Sequence, residues 1–404
     1  MTFITNTEPV LLIILTLGLI IITAKCLGLL SQKIGIPEVV GMIVAGLLLR
    51  FLPWLNNFGG TETNPVFSKT NDFISDISQI GVILIMFSAG LGTDMRSLIK
   101  SGIKATAIAC CGVLVPLVAG TFMALCFWGF DGWGSITFYK ALFIGAILTA
   151  TSVSISVAVL KELGKLDSEA GQAIVSAAII DDVLGMIVLT LVLGVSTGKG
   201  NIWLILTKTL LFFASAFIVG FAVNRFFRWY DSRHPHTRRL SIFALGISLV
   251  FAFIAEQFFG IADITGAYIA GIMFCSLSDA GYMESKIDVG SYLFFSPIFF
   301  ASIGLKTDLS GMNLGLLWFA LAFVLVGCLA KVIGCGAAAR VLGFREREAL
   351  QIGVGMMVRG EVALIVAQKG LSVGLVDSQY FAPVILLIII SSMIVPVLLK
   401  KTFA

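Results

Sequence analysis

The chain is 404 residues long, 58% hydrophobic and only 12% charged, with a mean hydropathy of +1.04. Soluble proteins carry about twice that share of charge, which excludes a water-soluble domain and implies a protein threaded through a bilayer. The net charge of +4 means little as a sum; its placement along the chain is the informative part.

A helix needs about 20 apolar residues to cross a bilayer. Hydropathy predicts thirteen spans, at about 10–30, 39–52, 73–91, 102–128, 136–160, 171–193, 202–227, 240–258, 262–278, 289–305, 313–340, 348–369 and 380–400. The implied fold class is an all-α polytopic membrane protein with no room for a soluble domain. Leu11–Leu30 reads as a first span rather than a cleavable signal, because no basic segment precedes it. Lys and Arg set the orientation. The loops with Lys33, Arg96, Lys100, Lys104, Lys161, Lys165, Arg225 to Arg239, Lys286, Arg340 to Arg347, Lys400 and Lys401, together with Lys25, put 18 basic residues on one face. Six fall on the other: Arg50, Lys69, Lys140, Lys199, Lys306 and Lys369. The expected topology has the N-terminus outside and the C-terminus in the cytoplasm, in the cytoplasmic (inner) membrane. All seven cysteines fall in apolar segments, and the two histidines, His234 and His236, share one loop. Neither a disulfide framework nor a structural metal is expected, and no cofactor or nucleic-acid partner.

An odd number of spans lets two halves run in opposite directions, and the sequence repeats accordingly. Gly35-Ile36-Pro37-Glu38-Val39-Val40-Gly41, followed by Ala45-Gly46, is matched by Gly260-Ile261-Ala262-Asp263-Ile264-Thr265-Gly266 and Ala270-Gly271. Ser88-Ala89-Gly90-Leu91-Gly92-Thr93-Asp94 is matched by Ser302-Ile303-Gly304-Leu305-Lys306-Thr307-Asp308. The reading is an inverted repeat, residues 1–196 (spans 1–6) against 236–404 (spans 8–13), with 197–235 (span 7) as connector. Secondary transporters are commonly built this way, with the binding site at the midplane.

Polar groups at depth locate that site. Ala173–Leu193 is long enough to span, yet carries Asp181 and Asp182 near its middle. Each charge there costs on the order of 3 kcal/mol even on a lenient scale, so such a pair reads as a proton or cation site. Span 5 carries Thr149-Ala150-Thr151-Ser152-Val153-Ser154 and span 12 carries Val358-Arg359-Gly360-Glu361 at corresponding depth. Broken helices in matching positions of two halves point to a transporter's binding site, and Arg359 and Glu361 are suited to offset the partial charges of the broken ends. Lys331 lies too deep to snorkel and needs a buried anion, with Asp181, Asp182 and Glu361 as candidates. Gly194 to Gly200 imitates a phosphate loop, but its spacing is short and no Ser or Thr follows Lys199.

Ile180-Asp181-Asp182-Val183-Leu184-Gly185, the Thr-Ala-Thr-Ser break, Ala330-Lys331-Val332-Ile333-Gly334 and Arg359-Gly360-Glu361-Val362-Ala363-Leu364 resemble the bacterial monovalent cation/proton antiporters of the NapA type. Gly35 to Gly41 and Phe87 to Leu91 match the same family's early spans. The resemblance covers nearly the whole chain. It implies thirteen spans, two crossing discontinuous helices, a homodimer, and an elevator-like cycle. In that cycle a core of spans 4–6 and 11–13 moves against a dimerisation domain of spans 1–3 and 8–10. It also implies that Asp182 holds the ion, that Asp181 pairs with Lys331, and that Thr151 and Ser152 face the substrate. No nucleotide-binding regulatory domain is expected after Ala404. Asp rather than Asn at position 181 favours charge-moving exchange.

The expected function is therefore antiport of Na⁺, with Li⁺ tolerated, against H⁺. Exchange of K⁺ for H⁺ is the nearest alternative, and a gated cation channel the alternative from another class. Asp182 is the shared site for Na⁺ and H⁺, and Lys331 the second proton carrier.

Overall fold

A computed structural model describes residues 8–34, 37–56, 58, 64–93, 102–152, 156, 159–160, 163–165, 168–196, 202–231, 238–307 and 314–403, with only the backbone at 202–206, 230, 231, 238 and 361. All regular structure among these residues is helical. In chain order the helices are α1 (Pro9–Lys33), α2 (Glu38–Leu49), α3 (Pro65–Leu91), α4 (Gly102–Trp128), α5 (Ile136–Ile147), α6 (Glu169–Ser196), α7 (Ile202–Asp231) and α8 (Arg238–Ile254). They continue with α9 (Asp263–Phe274), α10 (Ala280–Gly290), α11 (Ser296–Lys306), α12 (Leu314–Val341), α13 (Glu346–Gly355), α14 (Glu361–Ser372) and α15 (Phe381–Phe403). Among the described residues, nine helical stretches are long and apolar enough to cross a bilayer. Four shorter apolar helices accompany them: α2, α5, α9 and most of α14.

Where helix ends differ from the hydropathy reading, local chemistry explains it. α3 starts at Pro65, eight residues before the apolar window opens at Phe73. The Asn64 side chain accepts a 2.9 Å hydrogen bond from the Val66 amide, and proline suits the first helical turn because its missing N–H would have had no partner there. Its first turns carry Ser68, Lys69, Asn71 and Asp72, which a hydropathy window counts against a span. A π-helical turn at Ala255–Phe259 extends α8 and closes on Gly260, whose φ of +69° is the left-handed region that glycine adopts without strain. A second π turn, Ser291–Phe295, joins α10 to α11, so this helical stretch also begins well before its apolar window.

The chain forms two compact units, each built from two separated stretches: Met1–Thr93 with Leu210–Thr307, and Asp94–Thr209 with Asp308–Ala404. In the first unit, α2 packs on α1 and α11, and α3 packs on α9. Leu12, Ile20, Trp54, Leu55, Ile74, Ile298 and Leu305 form its dry core, where the Trp54 indole donates to Thr16 Oγ1 at 3.0 Å. The glycines of the repeated motifs meet here in crossed pairs. A Cβ on Gly304 would lie 3.0 Å from Gly46 Cα, and one on Gly271 would lie 2.7 Å from Gly90 Cα. α2 and α9 each have 12 residues and open on an acid after a residue of nearly the same backbone angles: Pro37 at −54°, 141° and Ala262 at −51°, 134°. The second unit is organised on α4 and α12, which pack on each other, with α5, α6, α13 and α15 around them.

At Gly271 the three atoms nearest to an added methyl group are all backbone, in Phe87 and Gly90 of α3. Overpacking that no side chain can relieve costs about 1–3 kcal/mol. Gly271→Ala is therefore expected to lower the melting temperature of the detergent-solubilised protein by several degrees. Gly281→Ala, where nothing lies within 4 Å, should leave it unchanged.

Candidate functional site

Two helices of the second unit stop short. α5 ends at Ile147, and Thr149 to Ser152 follow in non-helical conformation. α13 ends at Gly355, the chain runs non-helically to Gly360, and α14 resumes at Glu361. Helix ends leave amides and carbonyls without partners, and such groups are costly away from water. Here each break supplies the other. The Ser152 amide donates to the Val358 carbonyl at 3.0 Å, and Ser156 Oγ donates to the Gly355 carbonyl, the end of α13, at 2.6 Å. The Arg359 amide donates to Ser391 Oγ of α15 at 3.1 Å. Gly360 permits the close crossing, because a Cβ there would lie 2.5 Å from Ser152 Cβ and 2.7 Å from its hydroxyl oxygen.

Two buried cations complete the arrangement. Arg359 is fully buried and donates through Nη1 to Thr151 Oγ1 at 3.3 Å and through Nη2 to the Gly327 carbonyl of α12 at 3.0 Å. Its Nε has no hydrogen-bond partner among the described residues. Glu361 opens α14, but its side chain, and so its share of the expected helix-break compensation, lies outside the described residues. Lys331 on α12 donates to Asp181 Oδ1 at 2.6 Å and to the Thr149 carbonyl at 3.0 Å. The two charged side chains are 0% and 1% exposed. Asp181 Oδ2 is buried without a hydrogen-bond partner among the described residues.

Asp182 follows on α6 and is partly exposed, in contrast to Asp181. At about 3.6 residues per turn, adjacent side chains leave a helix in different directions, so one carboxylate is locked in the dry interior and its neighbour is not. Thr151 and Ser152 are both buried at the break. Among the described residues no three His, Cys, Asp or Glu side chains gather as a metal site. The oxygens near the break, from hydroxyls and carboxylates, are hard donors of the kind that alkali cations accept.

Sequence reasoning missed Gly327, Thr149 and Ser391 as partners. Gly327 and Thr149 act through backbone carbonyls and leave no side-chain signal. Ser391 is one of two adjacent serines in an apolar span, a signal that could have been read.

Residues 18–401 match the family described as sodium/hydrogen exchanger, transmembrane. The chain belongs to that family. It is a multi-pass membrane transporter rather than an enzyme, as its relatives are. The exchanger is 35% identical over 391 residues to the "Na(+)/H(+)-K(+) antiporter GerN" of Bacillus cereus, covering 96% of this chain and 95% of that one. It is 32% identical to the "Na(+)/H(+) antiporter" of Enterococcus hirae, over 94% and 96% of the two chains. In fold it is similar to the sodium proton antiporter MjNhaP1 of Methanocaldococcus jannaschii, with a TM-score of 0.74 at 16% identity, covering 98% and 97% of the chains.

Removing one partner of a buried ion pair costs about 3–5 kcal/mol, because the other charge is left alone in a dry site. In this exchanger Asp181→Asn should therefore lower the melting temperature markedly. The double variant Asp181→Asn/Lys331→Gln should regain at least about half of that loss, a coupling that a double-mutant cycle of thermal melts reads directly.

Proposed function

We propose that this exchanger trades Na⁺, with Li⁺ tolerated, against H⁺ at Asp182. The carrying observation is the dry Lys331–Asp181 pair held against the Thr149 carbonyl at a helix break, with a second, partly exposed carboxylate one residue along. A proton and a cation that compete for one carboxylate cannot occupy it together, which is the simplest route to obligatory exchange. Thr151 and Ser152, both buried at the break, are assigned to the same site as further oxygen donors. Potassium remains a second substrate reading, supported by the printed name of the Bacillus cereus relative.

The wider architecture follows the same reading. The chain crosses the cytoplasmic membrane thirteen times, N-terminus outside and C-terminus in the cytoplasm. The four short apolar helices and the charge asymmetry of the loops support this. Its halves are inverted repeats, supported by the matching entries to α2 and α9 and by the crossed glycine pairs. Two copies associate through the first unit while the second moves as an elevator carrying the ion. The division of the chain into two units supports that assignment.

In liposomes with an internal pH dye and an imposed Na⁺ gradient, Asp182→Asn should reduce exchange to less than about a tenth of the wild-type rate while the protein stays folded. A larger residual rate would remove Asp182 from the central role.

Lys331 makes the exchange electrogenic. When Na⁺ enters, Asp181 turns to it and leaves Lys331, which releases its proton to the water on the side the site is open to. Two protons then leave per Na⁺, and one net charge moves per turnover. One charge crossing the membrane couples to voltage at roughly 2.3 kcal/mol per 100 mV. With voltage clamped by a potassium ionophore, the Na⁺ gradient that balances a fixed pH difference should depend on membrane potential in the wild type. In Lys331→Gln that dependence should vanish. A wild-type balance point that ignores voltage would make the exchange electroneutral and leave Lys331 a counter-ion only.

A further inference from the structure

Lys331 and Asp181 can meet only if α12, α4 and α6 come unusually close, and the geometry that allows it converges on one residue without a side chain. α4 faces α12 through Ile108, Cys111 and Gly112, and α12 answers with Lys331, Gly334 and Cys335. Both sets recur at helical spacing. The Cys335 thiol, fully buried, donates to the Ile108 carbonyl at 3.8 Å. A Cβ on Gly334 would lie 2.7 Å from the Cys111 carbonyl oxygen and 3.0 Å from Val115 Cβ. Small residues let membrane helices approach to backbone contact in this way.

Gly112 stands where all three helices meet. A Cβ there would lie 2.6 Å from Cys335 Sγ, 3.5 Å from Asp181 Oδ1 and 3.6 Å from Lys331 Cε. The distances to the charged pair are ordinary contact, whereas the approach to sulfur is closer than real Cβ atoms tolerate. Cys335 lies one helical turn beyond Lys331 and is fully buried, which leaves its sulfur little room to swing aside. A methyl group at Gly112 would push α12 outward, and the displacement would fall on Lys331.

We infer that Gly112 is a positioning residue for ion exchange: by holding no side chain against Cys335, it sets the separation of α4, α6 and α12 at which Lys331 reaches Asp181. The inference rests on the proposed role of this pair beside Asp182. It also names the obstacle, the Cys335 sulfur, so removal of that sulfur should undo the damage.

The test compares wild type, Gly112→Ala, Cys335→Ala and the double variant in liposomes, reading the apparent KM for Na⁺ alongside the amount of folded protein. Gly112→Ala should shift the KM at least about fivefold, a change in how the ion is met rather than in how much protein is active. The double variant should return to within about twofold of wild type, a non-additivity expected of residues in direct contact. If Gly112→Ala lowers yield and maximal rate but leaves the KM unchanged, Gly112 is packing alone and the inference is overturned. A double variant that keeps the shifted KM overturns it as well. Where Gly112→Ala does not fold, the double variant decides: folded with a wild-type KM it supports the inference, and unfolded or with a shifted KM it overturns it. Absence of Na⁺-driven proton movement in the wild type would instead defeat the functional reading, leaving the two failures distinguishable.

Discussion

A charge taken out of water must find its compensation within the protein, and in the second unit this constraint falls on two side chains, Lys331 and Arg359. An unpaired ion in a dry interior costs several kcal/mol even after relaxation. Lys331 meets the requirement with one carboxylate from α6 and one carbonyl from the end of α5. Arg359 meets it with neutral groups, the Thr151 hydroxyl and the Gly327 carbonyl. Between them the two cations tie α5, α6, α12 and the break before α14 to one another. The helices are amphipathic only weakly, since lipid and protein interior are almost equally apolar, so these polar contacts do more to fix their register than burial of greasy surface does.

Much of this was legible in the chain itself. Long apolar runs and their punctuation by charge indicate helices of the right type, because the bilayer leaves few alternatives. The expense of Asp181 and Asp182 at the centre of such a run marks the site. Taken by themselves the residues leave open which carboxylate faces Lys331, because adjacent residues on a helix are equally near in sequence and only the rotation of α6 separates them; the family resemblance alone points to Asp181. Arg359 reads as one half of an Arg-Gly-Glu set, yet its partners lie 208 and 32 residues away, one of them a backbone carbonyl. Helices begin ahead of their apolar spans where polar residues occupy the first turns, as at Pro65, because capping by Asn64 acts through a single hydrogen bond that no hydropathy average registers.

The glycines show a similar division. Those of the repeated motifs announce themselves by recurring, and the close approach of α2 to α11 and of α3 to α9 gives them a physical reason. Gly112 recurs nowhere and looks like any small residue in an apolar run. Its role depends on what stands across the gap, and that becomes visible only when the neighbouring helices are in position.

The crossing of the two breaks binds together stretches of chain 199 and 208 positions apart. Since the amide of Ser152 answers the Val358 carbonyl within the second break, the hydroxyl of Ser156 answers the Gly355 carbonyl at the α13 end, and Gly360 makes room for Ser152, neither stretch is complete without the other. They constitute one unit of inheritance written in two places. A chimera that imports one break from a relative and retains the resident partner brings together surfaces shaped for different counterparts, so viable recombination joints in this family should either exchange both breaks or spare both.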